Sequence, residues 1–136
     1  MTTISPPKPR ILIVEDDAGV REGLRELLID TGFDVVGEAA NGSEGVDLTL
    51  ELDPDVVLMD MRMPVMGGVE AARQIHREQP SIQVVILTAY DDPALKAEAV
   101  DAGIYAFLVK GCSARLISEV ATTACEMRRS FDSDRF

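Results

Sequence analysis

A handful of residues that close apolar runs carry the chemistry open to this chain. Glu15, Asp16 and Asp17 follow Ile11-Leu12-Ile13-Val14, and Asp60 follows Val56-Val57-Leu58-Met59. Thr88 follows Val84-Val85-Ile86-Leu87, and Lys110 follows Phe107-Leu108-Val109. Taken singly each has an ordinary use: Asp17 is placed to cap a helix, Thr88 to open a turn, and Lys110 to sit in water. Taken together they need another reason, because clustered carboxylates repel one another and clustered charges mark sites. With no histidine or cysteine among them, the set suits a hard, oxygen-seeking cation, Mg²⁺ first and Mn²⁺ as its substitute. A cation there would neutralise an incoming phosphoryl group. Lys110 adds positive charge, and the Thr88 hydroxyl can donate to a phosphoryl oxygen. One carboxylate is then the nucleophile, as in aspartyl-phosphate chemistry. Asp60, on the central strand between the other contributors, is best placed for that role.

These residues converge only if the runs before them are parallel strands. Arg10–Val14, Asp34–Ala39, Asp55–Asp60, Ile82–Thr88 and Tyr105–Lys110 read as strands, the first and third apolar enough for burial on both faces. Between them the period changes to that of a helix. Val20, Leu24, Leu27 and Leu28 form one stripe from Asp17 to Thr31, stopped by Gly32. Asn41-Gly42 leads into a helix from about Ser43 to Leu52, closed by Pro54. A third helix spans Gly68–Gln79, with Val69, Ala72 and Ile75 inward. Asp92-Pro93 opens a fourth, capped by Gly103. The last runs from Ser113 to about Met127, with Leu116, Ile117, Val120 and Ala124 inward. Five β-α units in succession predict an α/β protein with a parallel sheet and helices on both faces. In such folds ligands bind outside the carboxyl ends of the strands.

Composition narrows the function. The 136 residues suit a single domain. Thirteen Lys and Arg against 24 Asp and Glu leave a net charge of -11, which repels phosphate backbones and anionic lipid. No direct nucleic-acid binding and no membrane association are expected. No apolar run approaches the roughly 20 residues of a membrane span. Met1–Pro9, with Pro6, Pro7 and Pro9, lacks a signal-peptide core and is expected as a disordered lead-in to a domain over 10–127. Residues 128–136 read as a polar tail or truncated linker. Cys112 and Cys125 lack metal or redox spacing, and His76, late in the third helix, reads as a surface or boundary residue. Met59 belongs to the core, while Met61, Met63 and Met66 shape the loop after Asp60.

The segments Ile11-Leu12-Ile13-Val14-Glu15-Asp16-Asp17, Val57-Leu58-Met59-Asp60-Met61-Arg62-Met63-Pro64, Met66-Gly67-Gly68-Val69-Glu70, Val85-Ile86-Leu87-Thr88-Ala89 and Ala102-Gly103 leading to Phe107-Leu108-Val109-Lys110 occur in this order. Over Arg10 to about Met127 the chain thereby resembles the receiver domain of two-component response regulators, most nearly the NarL/FixJ class. The resemblance implies a flavodoxin-like, doubly wound, five-stranded parallel sheet of order 2-1-3-4-5. It implies Asp60 as phosphoacceptor, and Glu15 and Asp16 as the acidic pair that holds Mg²⁺ with Asp60 and the backbone carbonyl of Arg62. Thr88 and Lys110 would hold the phosphoryl oxygens, Thr88 and Phe107 would form the switch, and Arg62 and Tyr90 would tune hydrolysis. The implied donor is a sensor histidine kinase in the cytoplasm. Partner binding or homodimerisation would map to the fourth helix, fifth strand and fifth helix, about Asp92 to Met127. Receivers of this class usually precede a helix-turn-helix domain. The chain stops at Phe136, so it is expected either as a stand-alone receiver or as one cut within its linker.

Four positions depart from the family pattern. Glu15 stands where Asp is common, its extra methylene reaching the metal through water. Gly67 stands where an acid often precedes the glycine, Gly111 where proline is frequent, and Phe107 lacks the usual tyrosine hydroxyl. Three other functions remain to be weighed against an autophosphorylating, self-hydrolysing switch that is not a turnover enzyme. A haloacid-dehalogenase-like phosphatase needs a second Asp where Arg62 stands. A flavodoxin-like cofactor binder needs a Gly/Ser/Thr loop where Glu15-Asp16-Asp17 stand. A pseudo-receiver would usually have lost Asp60 or Lys110.

Overall fold

The strand and helix periods alternate in space as they do in sequence. A computed structural model describes residues 7–133. Its elements are β1 (Arg10–Val14), α1 (Ala18–Asp30), β2 (Asp34–Ala39), α2 (Gly42–Leu52), β3 (Val56–Met59), α3 (Gly68–Glu78), β4 (Gln83–Thr88), α4 (Pro93–Asp101), β5 (Ala106–Val109) and α5 (Ala114–Ser133). The five strands form one parallel sheet of order β2-β1-β3-β4-β5, as expected. Val14 pairs with Met59, Met59 with Ile86, and Thr88 with Val109. The carboxyl ends of β1, β3, β4 and β5 therefore lie along one edge.

Alternating side chains divide the core into two layers. Ile11, Ile13, Val56, Leu58, Val85 and Leu87 pack with Leu28 of α1 and Ile117, Ala121 and Ala124 of α5. Leu12, Val14, Val57, Met59, Val84 and Ile86 pack with Val46 of α2, Ala71, Ala72 and Ile75 of α3, and Ala99 of α4. Full burial of each large aliphatic side chain contributes about 1.5 to 3 kcal/mol. Caps set the helix starts: Asp17 Oδ1 accepts the Val20 N–H at 3.0 Å, Asn41 Oδ1 the Glu44 N–H at 2.9 Å, and Asp92 Oδ1 the Ala94 N–H at 2.9 Å. Gly103, at φ +90°, ends α4 in a conformation that disfavours a side chain.

Four details differ from the sequence reading. Leu116 is 40% exposed. The buried stripe of α5 runs through Ile117, Ala121, Ala124 and Cys125, the last three small enough to let the helix lie close on the sheet, and Leu116 falls one residue off it. Val20 likewise faces solvent in the first turn of α1. Met61 is buried in the α2–α3 layer rather than merely shaping its loop.

The fourth difference is α5 itself, which continues past Met127 to Ser133. Arg128, expected in a polar tail, reaches Asp53 at 2.8 Å and Asp55 at 3.3 Å, and these partners hold the extra turns. Residues 134–136 of that tail and residues 1–6 of the lead-in lie outside the described residues. Pro7 and Pro9, also assigned to the lead-in, are tied down: their carbonyls accept from Arg129 Nη2 at 2.8 Å and from the Asp34 N–H at 2.9 Å.

Candidate functional site

The aligned strand ends bring Glu15, Asp60 and Lys110 into direct contact across 95 residues of sequence. Lys110 Nζ donates to Glu15 Oε1 at 2.6 Å and to Asp60 Oδ2 at 3.4 Å. Ligand oxygens of Glu15, Asp16 and Asp60 all lie within 4.8 Å of one another. Glu15 is only 2% exposed and Asp60 is buried, whereas Asp16 faces solvent. An all-oxygen donor set of this kind, open on the Asp16 side, fits a divalent hard cation and offers nothing to a soft one.

Backbone contacts fix the two acidic loops. Asp60 Oδ1 accepts the Met61 N–H at 2.7 Å, and Gly68, opening α3, donates its N–H to the Met61 carbonyl at 2.8 Å. A Cβ at Gly68 would collide with the Asp60 carbonyl oxygen, so only glycine lets α3 close on the loop. The Glu15 backbone carbonyl accepts from Arg21 Nη1 at 2.8 Å, and Glu15 Oε2 accepts the Asp17 N–H at 3.1 Å. Arg21 was not singled out in the sequence. Its place on α1, six residues past Glu15, was the available signal.

Burial and charge oppose each other here. Desolvation pushes the Glu15 carboxyl above its ordinary value against the bonds from Lys110 and the Asp17 N–H, and the Asp60 charge adds to the rise. Desolvation acts to lower Lys110, but the bond to Glu15 and the charge of Asp60 outweigh it and hold the ammonium above its ordinary range.

The remaining sequence-selected residues fall on β4, β5 and the loops after β3 and β4. Thr88 is fully buried at the end of β4, and its hydroxyl accepts the Tyr90 N–H at 3.2 Å. The Arg62 guanidinium stacks over the Tyr90 ring, 3.9 Å from its centroid, so the β3–α3 and β4–α4 loops touch across the pocket mouth. Phe107 lies on β5, half-buried against the α2–α4 layer. In the β3–α3 loop Val65 takes φ +69° and is 83% exposed, with the Met66 N–H bonded to the Pro64 carbonyl at 2.7 Å around it. His76 is exposed, as expected.

A doubly wound parallel sheet with a cation-fitting acidic pocket at its carboxyl edge, closed by one lysine, defines the class. The response regulator receiver domain family matches residues 11–122, and the chain belongs to that family, the receivers of two-component signalling. It is 44% identical over 115 residues to the transcriptional regulatory protein LnrK of Bacillus subtilis, covering 84% of this chain and 52% of that protein. It is 40% identical over 101 residues to the chemotaxis protein CheY of Thermotoga maritima, covering 74% and 84% respectively. Among solved structures it is similar to the signal receiver domain of a NarL response regulator from Mycobacterium tuberculosis. That match has a TM-score of 0.85 and 30% identity, and covers 89% of this chain and 98% of the other. The chain spans about half the length of relatives such as LnrK. Among the described residues no helix is long and apolar enough to cross a membrane.

Proposed function

We propose that this chain is a phosphorylation switch that takes a phosphoryl group from a sensor histidine kinase onto Asp60. The observation that carries the reading is the shared pocket: Asp60 lies 3.4 Å from Lys110 Nζ and within 4.8 Å of the ligand oxygens of Glu15 and Asp16. An Asp60 carboxylate oxygen attacks phosphorus, the bond from phosphorus to the donor imidazole breaks, and an acyl phosphate forms. Lys110 and the Thr88 hydroxyl hold the phosphoryl oxygens. Asp16 and Asp60, with Glu15 and the Arg62 backbone carbonyl, would hold Mg²⁺ or Mn²⁺, which would supply charge neutralisation. The Arg62–Tyr90 stack covers the mouth and slows attack by water. The chain is a phosphoacceptor with slow self-hydrolysis, not a turnover enzyme.

Several observations support the rest of the reading. The strongly negative charge argues against direct contact with nucleic acid or anionic membranes and suits a cytoplasmic partner protein. The output is transcription or a partner protein, reached through α4, β5 and α5, which is also the face for a homodimer. The site residues lie within 10–127, the domain; the helical turns after it belong to the linker region.

Acetyl phosphate with and without Mg²⁺ tests the reading. The expected result is a metal-dependent mass gain mapped to Asp60 and absent in Asp60→Asn, with the variant at least as stable as the parent because one pocket charge is gone. A phosphoryl adduct on another residue overturns it.

A further inference from the structure

Glu15 is nearly inaccessible, yet both of its carboxylate oxygens are engaged within the chain: Oε1 by Lys110 at 2.6 Å and Oε2 by the Asp17 N–H at 3.1 Å. Lys110 stands further from Asp60, at 3.4 Å. A carboxylate that accepts from an ammonium and a backbone N–H has less charge left for a cation than the exposed carboxylate of Asp16 beside it.

The backbone at Lys110 is held, its N–H donating to the Thr88 carbonyl at 2.7 Å and the Cys112 N–H to the Val109 carbonyl at 3.2 Å, but these bonds stop at the main chain. Gly111 follows it at φ +103°, and nothing beyond its chain neighbours lies within 4 Å of where a Cβ would stand. The aim of the ammonium must then come from its partner. Reach decides which partner that is. An aspartate at position 15 would end about 1.5 Å short of the present carboxylate, which lengthens the contact past hydrogen-bond distance and leaves Asp60 as the nearest anion.

We propose that Glu15 is a positioning residue for Lys110. It holds the ammonium at the pocket wall before a phosphoryl group arrives and keeps it from closing onto the Asp60 carboxylate. Asp60 stays available as the nucleophile, and Asp16 and Asp60 supply the carboxylates in direct contact with the metal. This rests on the reading of Asp60 as phosphoacceptor.

The test uses the full chain with ¹⁵N-labelled lysine, first with chelator and then with Mg²⁺. Besides Lys110 only Lys8 and Lys96 contribute side-chain signals, and both are exposed. The parent is expected to show one Nζ resonance slowed in proton exchange, that of Lys110. Glu15→Asp, which keeps the charge and removes only the reach, is expected to shift that resonance as the ammonium turns to Asp60, and Glu15→Asp combined with Asp60→Asn to lose the slowed exchange. Half-saturation by Mg²⁺, read from the melting temperature, is expected to shift less than threefold in Glu15→Asp and at least tenfold in Asp16→Asn. An Nζ resonance in Glu15→Asp unchanged from the parent in position and exchange overturns the proposal, and so does a loss of metal affinity as large as that of Asp16→Asn. Absence of label on Asp60 in the parent would instead overturn the phosphoacceptor reading, and the metal-free Nζ spectrum would still report on the Glu15–Lys110 contact.

Discussion

At the pocket, the carboxyl of Glu15 and the ammonium of Lys110 respond to pH in ways that follow from their surroundings. Burial raises Glu15 above 4.5, so the folded chain holds a proton at a pH where the unfolded chain has released it. Stability must therefore fall as pH rises from about 4.5 through the raised value. Lys110 is raised above 10.5, so its contribution is complete below that pH and is lost as pH climbs through the folded value. In chelator-treated protein the melting temperature is expected to decline across the acid window, and Glu15→Gln to flatten that decline. Val65 presents a different residue-scale cost. A β-branched residue at φ +69° carries strain of about 1 to 3 kcal/mol, and its exposed side chain recovers little of it. Val65→Gly is expected to raise stability by about 1 kcal/mol after the extra unfolded-state entropy of glycine, as read by urea denaturation. A loss of stability would show that Val65 is not strained.

Among the elements, α5 and α4 differ most in how firmly they are held. The base of α5 is bolted to the amino-terminal edge of the sheet. Asp55, next to β3, accepts from the Arg10 N–H at 3.0 Å and from Arg128 Nη1 at 3.3 Å, and Arg128 also reaches Asp53 at 2.8 Å. Arg128 and Asp55 are largely buried, so removing the cation costs Asp55 a desolvated partner, although Arg129 at 3.7 Å and the Arg10 N–H remain. Arg128→Ala is expected to cost about 2 kcal/mol and to speed amide exchange from Cys125 to Ser133, with α1 unaffected. Uniform exchange throughout α5 would contradict that. By contrast, α4 buries Ala99 fully and packs Leu95, while Val100 on the same helix is 61% exposed. A helix so lightly seated is cheap to move.

Across the whole molecule, the acidic pocket and that lightly seated helix share one sheet edge. Phosphorylation adds about one further negative charge and strong acceptor oxygens at Asp60, which should draw Lys110 and the Thr88 hydroxyl toward them. Thr88 ends β4 immediately before the loop into α4, and Phe107 lies half-buried on the neighbouring strand. Under the proposed function, differential contact with the phosphoryl group would bias two packings that differ by only a few kcal/mol. With beryllofluoride, amide protection is expected to change over α4, β5 and α5, about Asp92 to Met127. Thr88→Ala should still be phosphorylated at Asp60 but lose that change. Protection changes confined to the loops around Asp16 and Asp60 would rule this route out.

The order of elements and the residues ending each strand were legible because both are written locally. An apolar run of four to six residues closed by an acid, and punctuation such as Asp92-Pro93 or Gly103, act through neighbours in the chain. The parallel topology followed from the alternation, since parallel strands need crossovers. Contacts between distant segments were not legible. Lys110 sits closer to Glu15 than to Asp60 only because the strand registers and one methylene set the distances, 95 residues apart in sequence. Leu116 faces water and Met61 is buried because the fit of α5 and α3 on the sheet, not helical period alone, decides which side is covered. The turns of α5 beyond Met127 are polar in sequence and become helix because Asp53 and Asp55 wait beneath Arg128, more than 70 residues away in the chain. Local pattern specifies the parts, and burial among distant partners decides which side chains meet.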